Sequence, residues 1–213
     1  MLLLLLACST MTGARPLSPG EHAVGVTALG GMVDLGAPIP LPNLVLEGRS
    51  GVTELAERPL DVNYGLNATG LAFGIVQVHA GTSYLLLDQA GARPALSATN
   101  RLFLATNAAG LPYKHEPQVQ LWGMDQVELT ASWMLRDQLL YLAMAEYIDF
   151  RNPTLTPTPA AGAVLGRGGP WAFQVEGRWY GVNQENTLTT VRWVPGNSGV
   201  LGVTVGVSRR LAK

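Results

Sequence analysis

The chain has 213 residues and a net charge of −1, and only 14% of its residues are charged, against about 25% in an average globular protein. This balance, with no basic cluster larger than Arg209-Arg210, argues against a nucleic-acid-binding surface. Although 47% of the residues are hydrophobic, no run of about 18 apolar residues occurs, so the sequence predicts no transmembrane helix, and its length is typical of one domain.

The amino terminus carries an apolar run from Leu2 to Cys8, which is too short to cross a bilayer because a spanning helix needs about 20 apolar residues. The run ends in Leu5-Leu6-Ala7-Cys8 and contains the only cysteine of the chain. This ending resembles the lipobox of bacterial lipoproteins, in which the preceding residues are removed and the cysteine is acylated. Ser9 after the cysteine resembles lipoproteins that are sent on to the outer membrane. A leucine-rich amino terminus with a buried cysteine is the alternative.

The lipobox resemblance divides the chain into a cleaved signal peptide at 1–7, a lipidated tether at 8–20 and one domain at 21–213. It implies a covalent diacylglycerol and an acyl chain on Cys8, with no other cofactor. It also implies two partners, the lipid of the outer membrane and the machinery that sorts lipoproteins.

The domain is predicted to consist of about ten β-strands, because apolar and polar residues alternate with a period of two along much of it. The alternation is clearest in Leu60–Asn67, Gln126–Trp133, Trp171–Trp179 and Leu201–Ser208. In chain order the predicted strands are 22–29, 43–52, 60–67, 71–78, 95–106, 126–133, 139–147, 171–179, 187–194 and 201–208. Eight strands remain an alternative, since the first and the one at 95–106 have weak patterns.

Two stretches interrupt this pattern. The Pro/Thr-rich residues from Arg151 to Ala161 are predicted to form a turn. In 134–148, Leu135, Leu139 and Leu142 also have helical spacing among good helix formers, so a single helix is the alternative to a strand there.

Alternating strands fit two architectures with opposite polarity. In an antiparallel up-and-down outer-membrane barrel the apolar face meets lipid and the polar face lines the lumen. In a soluble barrel or sandwich the apolar faces form the core. Small polar-face residues such as Gly65 and Gly202 beside charged ones, and aromatic residues near strand ends, favour the membrane barrel.

Two sets of candidate residues follow from the membrane barrel. The polar faces predict a charge network that neutralises a filled lumen, with a catalytic or ion-selecting cluster as the alternative. Its members are Asp61, Glu128, Glu176 and Arg178. The aromatic residues predicted at the membrane interfaces are Trp133, Tyr141, Tyr147, Trp171 and Trp179.

A hairpin at residues 39–67 carries a family resemblance. The pattern "R-x-G-x-T-[DE]…L-D-V/L" is matched by Arg49, Gly51, Thr53, Glu54, Leu60, Asp61 and Val62. The chain therefore resembles uncharacterised outer-membrane β-barrel lipoproteins of Gram-negative bacteria. The resemblance implies an outer-membrane location, an all-β barrel and the barrel-assembly machinery as a partner, and it assigns no chemistry.

Catalytic patterns are scarce. The histidines His22, His79 and His115 are tens of residues apart, without metal-ligand spacing. His79, Ser83 and Asp88 permit the hypothesis of an outer-membrane lipid hydrolase. We expect instead a lipid-anchored, non-enzymatic outer-membrane barrel that serves surface interaction or small-solute passage. The alternative is a lipid-tethered soluble barrel or sandwich that binds a small apolar ligand or a protein, and the sequence does not indicate an oligomeric state.

Overall fold

The computed structural model describes residues 10–28, 30–107, 121–151, 153–185, 192–195 and 198–211, and these form one closed antiparallel barrel of ten strands. The barrel strands are β1 (His22–Ala28), β4 (Leu44–Leu55), β5 (Arg58–Asn67), β6 (Ile75–Leu87), β7 (Ala95–Asn107), β8 (Leu121–Leu135), β9 (Gln138–Asp149), β10 (Leu155–Leu165), β11 (Trp171–Glu185) and β12 (Ser198–Leu211). Each barrel strand pairs with its neighbours in chain order, and β1 pairs with both β4 and β12 to close the ring.

Small elements lie in the connections. The two-stranded sheet of β2 (Met32–Asp34) and β3 (Pro38–Pro40) follows β1, and the helix α1 (Ala68–Ala72) follows β5. No helix within the described part of the chain is long and apolar enough to cross a bilayer.

The connections differ in length between the two ends of the barrel. At the end where β1 begins and β12 finishes, the turns are short: Ala56-Glu57 joins β4 to β5, and Arg136-Asp137 joins β8 to β9. Ala56, Glu57 and Arg136 have φ angles of 50°, 62° and 61°, the positive values that tight hairpin turns require. We name this the turn end and the opposite one the loop end. In outer-membrane barrels the short turns face the periplasm.

The barrel has its apolar residues on the outer face and its polar residues inside, the reverse of a soluble protein. On β8, Val127 and Leu129 are 48% and 51% exposed, whereas Glu128 between them is 1% exposed. The same alternation holds on β11, where Phe173 and Val175 face outward and Glu176 is buried. The two faces predicted from the sequence are confirmed here, and the alternative with the apolar faces inside is wrong for these strands.

Segment 134–148 is not a helix. It completes β8, turns at Arg136-Asp137 and continues as β9, which pairs with β8 from Met124↔Asp149 to Leu135↔Gln138. Because both flanking strands offer a full ladder of backbone partners, tertiary pairing outweighs the local helix propensity.

The number of ten strands is confirmed, but one member differs from the prediction. Of the predicted strand 187–194 only residues 192–194 are described, and they pair through a single bridge between Trp193 and Val33. The predicted turn at 151–161 instead contains most of β10. Residues 68–72 form α1, so β6 begins at Ile75 and not at Leu71.

The prolines of β10 lie where only one neighbour is paired. Pro157 and Pro159 are opposite Glu146 and Met144 of β9, whereas the ladder with β11 begins only at Ala160. Proline lacks a backbone N–H and is tolerated where a strand has a free edge. The Thr158 hydroxyl accepts a hydrogen bond from the Gly181 backbone N–H at 3.1 Å and so links the two strands where the ladder is missing.

Candidate functional site

Residues 10–17, which we name the plug, lie inside the barrel. All of them except Arg15, which is partly exposed, are buried. The Leu17 backbone N–H donates to the Asp61 carboxylate at 2.9 Å near the turn end, and the Thr12 N–H donates to Glu176 at 3.1 Å deeper in the lumen. This part of the predicted tether 8–20 is therefore packed in the domain, while Cys8 and the predicted signal peptide 1–7 lie outside the described residues.

The strand number explains why the lumen accepts a segment. A barrel of about eight strands has an interior that side chains alone fill, and the diameter grows with each added strand. Ten strands leave additional width, and many of the inward positions carry small residues, such as Ser97, Ala143 and Ala160. The Ser97 hydroxyl donates to the backbone carbonyl of Ala14 at 3.1 Å, so the wall supplies a donor to this backbone acceptor of the plug.

Arg178 is the centre of the buried polar cluster that we name the lumen cluster. Its Nε donates to Glu176 at 2.9 Å and one Nη to Glu128 at 3.0 Å. The same Nη donates to the Thr12 hydroxyl at 2.7 Å, and the other donates to the Tyr147 hydroxyl at 3.0 Å. The guanidinium therefore holds three strands of the wall, β8, β9 and β11, together with the plug.

Arg101 extends the lumen cluster across the barrel. Its Nε donates to Asn63 at 3.1 Å, and its Nη atoms donate to Gln126 at 3.2 Å and to the backbone carbonyl of Met11 at 3.2 Å. It also lies 4.0 Å from Glu128. The two arginines balance Glu128 and Glu176, so the cluster is neutral in total, as a buried set of charges needs to be.

The four predicted network residues occupy two places. Glu128, Glu176 and Arg178 form the lumen cluster together, whereas Asp61 pairs with Arg49 at 2.5 Å nearer the turn end. Arg49 also donates to the backbone carbonyl of Arg15 at 2.8 Å, so this second pair likewise holds the plug.

Two of the five predicted interfacial aromatics are in the lumen. Tyr141 and Tyr147 are 2% and 0% exposed, and the Tyr141 hydroxyl donates to Glu176 at 2.8 Å. The interface prediction for them is wrong, because β9 directs its odd-numbered residues inward. Trp171 and Trp179 are 49% and 39% exposed on the outer face, and Trp133 is partly exposed near the turn end.

Loops pack over the lumen at the loop end. Val33 of β2 and Trp193 are 3% and 2% exposed and contact Tyr180 and Val200, which point into the lumen. We name these four residues the loop cap. Backbone hydrogen bonds hold it in place, including one of 3.0 Å from Val194 to Met32.

The three residues of the hydrolase hypothesis, His79, Ser83 and Asp88, do not form a catalytic set. His79 and Ser83 both lie on β6, about 13 Å apart at the rise of a strand. The Ser83 hydroxyl accepts from Asn63 at 3.2 Å and Thr99 at 3.0 Å, while Asp88 lies beyond the strand near Arg58. Among the residues that the structure describes, no group of three or more His, Cys, Asp or Glu could hold a metal ion.

Arginines are concentrated at the turn end. Arg167, in the turn between β10 and β11, has its pKa lowered to about 10 by burial and by the nearby positive charges of Arg49, Arg210 and Arg15, with Glu21 opposing. The surroundings of Arg167 therefore carry a positive potential, which attracts anionic groups.

The contact between the plug and β4 requires a glycine at position 51. A Cβ at Gly51 would lie 1.9 Å from the Ser18 carbonyl oxygen and 2.9 Å from that of Leu17. The Gly20 backbone N–H also donates to the Gly51 carbonyl at 3.0 Å. This position allows the chain to leave the lumen and enter β1 without a clash.

We expect Gly51→Val to loosen the plug. The side chain would displace the exit of the plug, at a loss of about 1–3 kcal/mol for an overpacked site. Hydrogen exchange of the backbone amides of residues 10–17 measures the effect, and we expect it to be faster in the variant. Gly177→Val is the matched control, since a Cβ at Gly177 meets nothing within 4 Å. Equal exchange in the two variants would contradict the expected contact.

Sequence reasoning did not find the plug, Arg49 or Arg101 as members of the site. Arg49 belongs to the predicted strand 43–52. Leu44 and Leu46 face outward, and Arg49 is an odd number of residues from both, so the alternation of the strand places Arg49 on the inner face. The plug has no periodic pattern, so nothing in the sequence distinguishes it from a tether.

Comparison with known proteins bears on the fold. An outer-membrane channel from Pseudomonas putida F1 is 9% identical with a TM-score of 0.55, over 95% of this chain and 100% of that chain. The translocator domain of autotransporter NalP from Neisseria meningitidis is 10% identical with a TM-score of 0.48, over 93% and 91% of the two chains. No protein-family model and no curated protein matched the chain. The chain is thus similar in fold to a solved outer-membrane channel, and at this identity the likeness concerns the fold alone.

Proposed function

We propose that this chain is a non-enzymatic β-barrel protein of a bacterial outer membrane that stands closed at rest and passes small polar solutes only when the plug leaves the lumen. The observation that carries the proposal is the plug itself. It is a segment of the chain without helix or strand, hydrogen-bonded to Asp61, Ser97 and Glu176, inside a barrel with an apolar outer wall.

The outer wall supports the membrane part of the proposal. Leu102, Leu129, Leu142 and Phe173 are 40–58% exposed, and in water such a continuous apolar surface would favour aggregation. In a bilayer the same surface meets hydrocarbon, and closure of the sheet leaves no unpaired strand edge. Trp171 and Trp179, on opposite halves of β11, fit the two interfacial belts of such barrels.

The lumen supports solute passage over a purely structural role. A barrel that only anchors could fill its interior with wall side chains, whereas here a separate segment occupies it. The plug is held by hydrogen bonds from the side chains of Arg178, Arg101 and Arg49. Breaking these bonds leaves the backbone hydrogen bonds between the strands intact. The plug can therefore leave while the barrel persists.

The lipid on Cys8 is the further part of the proposal. Cys8 precedes the buried Thr10 by two residues, a span of at most about 7 Å along the chain. Acyl chains on Cys8 must reach a leaflet outside the wall, so an acylated Cys8 and a seated plug compete. The closed resting state of the proposal is therefore that of the chain before Cys8 is acylated, and lipidation would hold the plug out of the lumen.

The membrane part is tested by replacing residues 1–8 with a cleavable export signal that leaves no lipid. We expect the mature chain to stay in the membrane fraction after alkaline carbonate washing, because the outer wall itself contacts lipid. The chain with its own amino terminus is the control. Release as a folded soluble protein would overturn the proposal in favour of a lipid-tethered soluble barrel.

A further inference from the structure

A groove of about 880 Å³ crosses the outer wall over β1, β4, β5, β6 and β7. It is an open groove on the surface and not an enclosed cavity. The wall is concave here because small residues, Gly48 and Ala80, face outward between larger ones. The ring of Tyr64 lies over Gly48, where a Cβ would be 2.3 Å from Tyr64 Cε2, so this ring follows the wall and does not fill the groove.

The sides of the groove are apolar. Val26 on β1, Leu46 on β4, Val78 on β6 and Leu104 on β7 are 37–44% exposed along it. These side chains offer hydrocarbon contacts along most of its length and no polar group that would orient a soluble ligand. An acyl chain fits such a surface.

Arg209 of β12 lies at the edge of the groove nearest the turn end. It is exposed on the outer face, opposite Trp171 and Val24 in the strand register. Its guanidinium carbon lies 5.5 Å from the centroid of the Trp171 ring. None of the carboxylates in the described ranges is within ion-pair distance of Arg209. Arg209 lies two residues from the end of β12, and a long cationic side chain near the end of a spanning segment extends to the headgroup region, where lipid phosphates are anionic partners.

We propose that the groove binds one phospholipid with a net negative headgroup, with its acyl chains along Val26, Leu46 and Leu104 and its phosphate on Arg209. The inference rests on the proposed membrane location. Arginine and phosphate form a paired, charge-assisted hydrogen bond, and stacking on Trp171 orients the guanidinium for it. The positive charge of Arg209 repels a headgroup ammonium, so phosphatidylglycerol is preferred to phosphatidylethanolamine.

The test measures lipid retained by the full chain in a non-ionic detergent with equal amounts of phosphatidylglycerol and phosphatidylethanolamine, using native mass spectrometry. We expect the unmodified protein to retain phosphatidylglycerol about fivefold over phosphatidylethanolamine, the preference that one basic residue confers near an anionic surface. Arg209→Gln should reduce this ratio to about one. Arg136→Gln, which removes an exposed arginine at the same end on the opposite wall, should leave the ratio unchanged.

A second variant tests the groove itself. Ala80→Trp places a bulky side chain in the groove and should lower the retention of both lipids. Retention unaffected by Ala80→Trp, or an unchanged ratio in Arg209→Gln, would overturn the inference, as would a dimer in place of a lipid adduct. Carbonate washing of the same proteins separates the two proposals: a protein that stays in the membrane without lipid preference overturns only the groove, and one that is released overturns both.

Discussion

Replacing Arg178 by methionine is expected to lower the free energy of unfolding by about 3–5 kcal/mol, the loss typical of a buried ion pair with one partner removed. Methionine has a similar length, so packing changes little. Glu176 and Glu128 would lose the guanidinium donors that lie 2.9 and 3.0 Å from them. The positive charge left near the two buried carboxylates would be that of Arg101, 4.0 Å from Glu128. An excess negative charge would then be buried in the lumen.

The measurement is urea unfolding in lipid vesicles, followed by tryptophan fluorescence. Arg178→Lys keeps the charge but loses the planar fork that reaches several acceptors, so a smaller loss is expected. The decisive control is Arg178→Met combined with Glu176→Gln, which removes one charge of each sign. Because the remaining Arg101 and Glu128 balance, the double variant should regain most of the lost stability.

A loss below about 1 kcal/mol in Arg178→Met, the range of an exposed ion pair, would contradict a dry lumen cluster. An equal loss in the single and double variants would show that packing, and not charge balance, determines the effect.

The outer and inner faces could be predicted wherever each alternate residue was clearly polar or apolar. On β8, Gln126, Glu128 and Thr130 alternate with Val127 and Leu129, and all lie on the predicted faces. The physical reason is that side chains alternate strictly between the two faces of a strand. A shift of the strand by one residue would place several of its polar and charged side chains in lipid. Such strands therefore specify their own register.

The phase of β9 could not be predicted in this way. Its sequence from Leu139 to Ala145 is apolar on both faces, so no residue indicates which side meets lipid. The inner face is apolar there because Leu139 and Tyr141 contact Ala14 of the plug. An inner apolar patch thus reflects a neighbour that is distant in sequence. The interface prediction for Tyr141 and Tyr147 rests on their position near the ends of the predicted strand, which does not indicate the face.

The plug depends on a property that no local pattern contains. Whether residues 10–17 are buried follows from the width of the lumen, which the number of closed strands determines. β10 shows a similar dependence, since Pro157 and Pro159 are acceptable only because the ladder with β11 is interrupted beside them. Local propensity could identify neither feature.

Replacing residues 10–17 by glycine and serine is expected to convert a silent barrel into a conducting one. The replacement keeps the chain length but removes the Thr12 hydroxyl that Arg178 contacts at 2.7 Å, as well as the buried side chains of Met11 and Leu17. A flexible segment without these contacts loses the interactions that offset its entropy of ordering inside the lumen. It should therefore leave the lumen for most of the time.

Conductance across a planar bilayer measures this change. Without lipid on Cys8, the chain with its own plug should show no current steps, and the replaced chain should show resolvable ones. The matched control is the same kind of replacement at residues 18–20, which follow the plug but are not buried. This control should stay silent.

The loop cap narrows the lumen at the loop end without closing it, and it determines how the conductance test must be designed. Trp193 is 2% exposed and contacts the lumen-facing Tyr180 and Val200. Trp193→Ala alone should stay silent because the plug still fills the lumen, and combined with the plug replacement it should give the largest steps. If the combined variant is as silent as the unmodified chain, wall side chains such as Arg178 close the lumen by themselves, and solute passage through this barrel is contradicted. Conductance in Trp193→Ala alone would instead place the barrier at the loop end and leave the plug as packing of the interior.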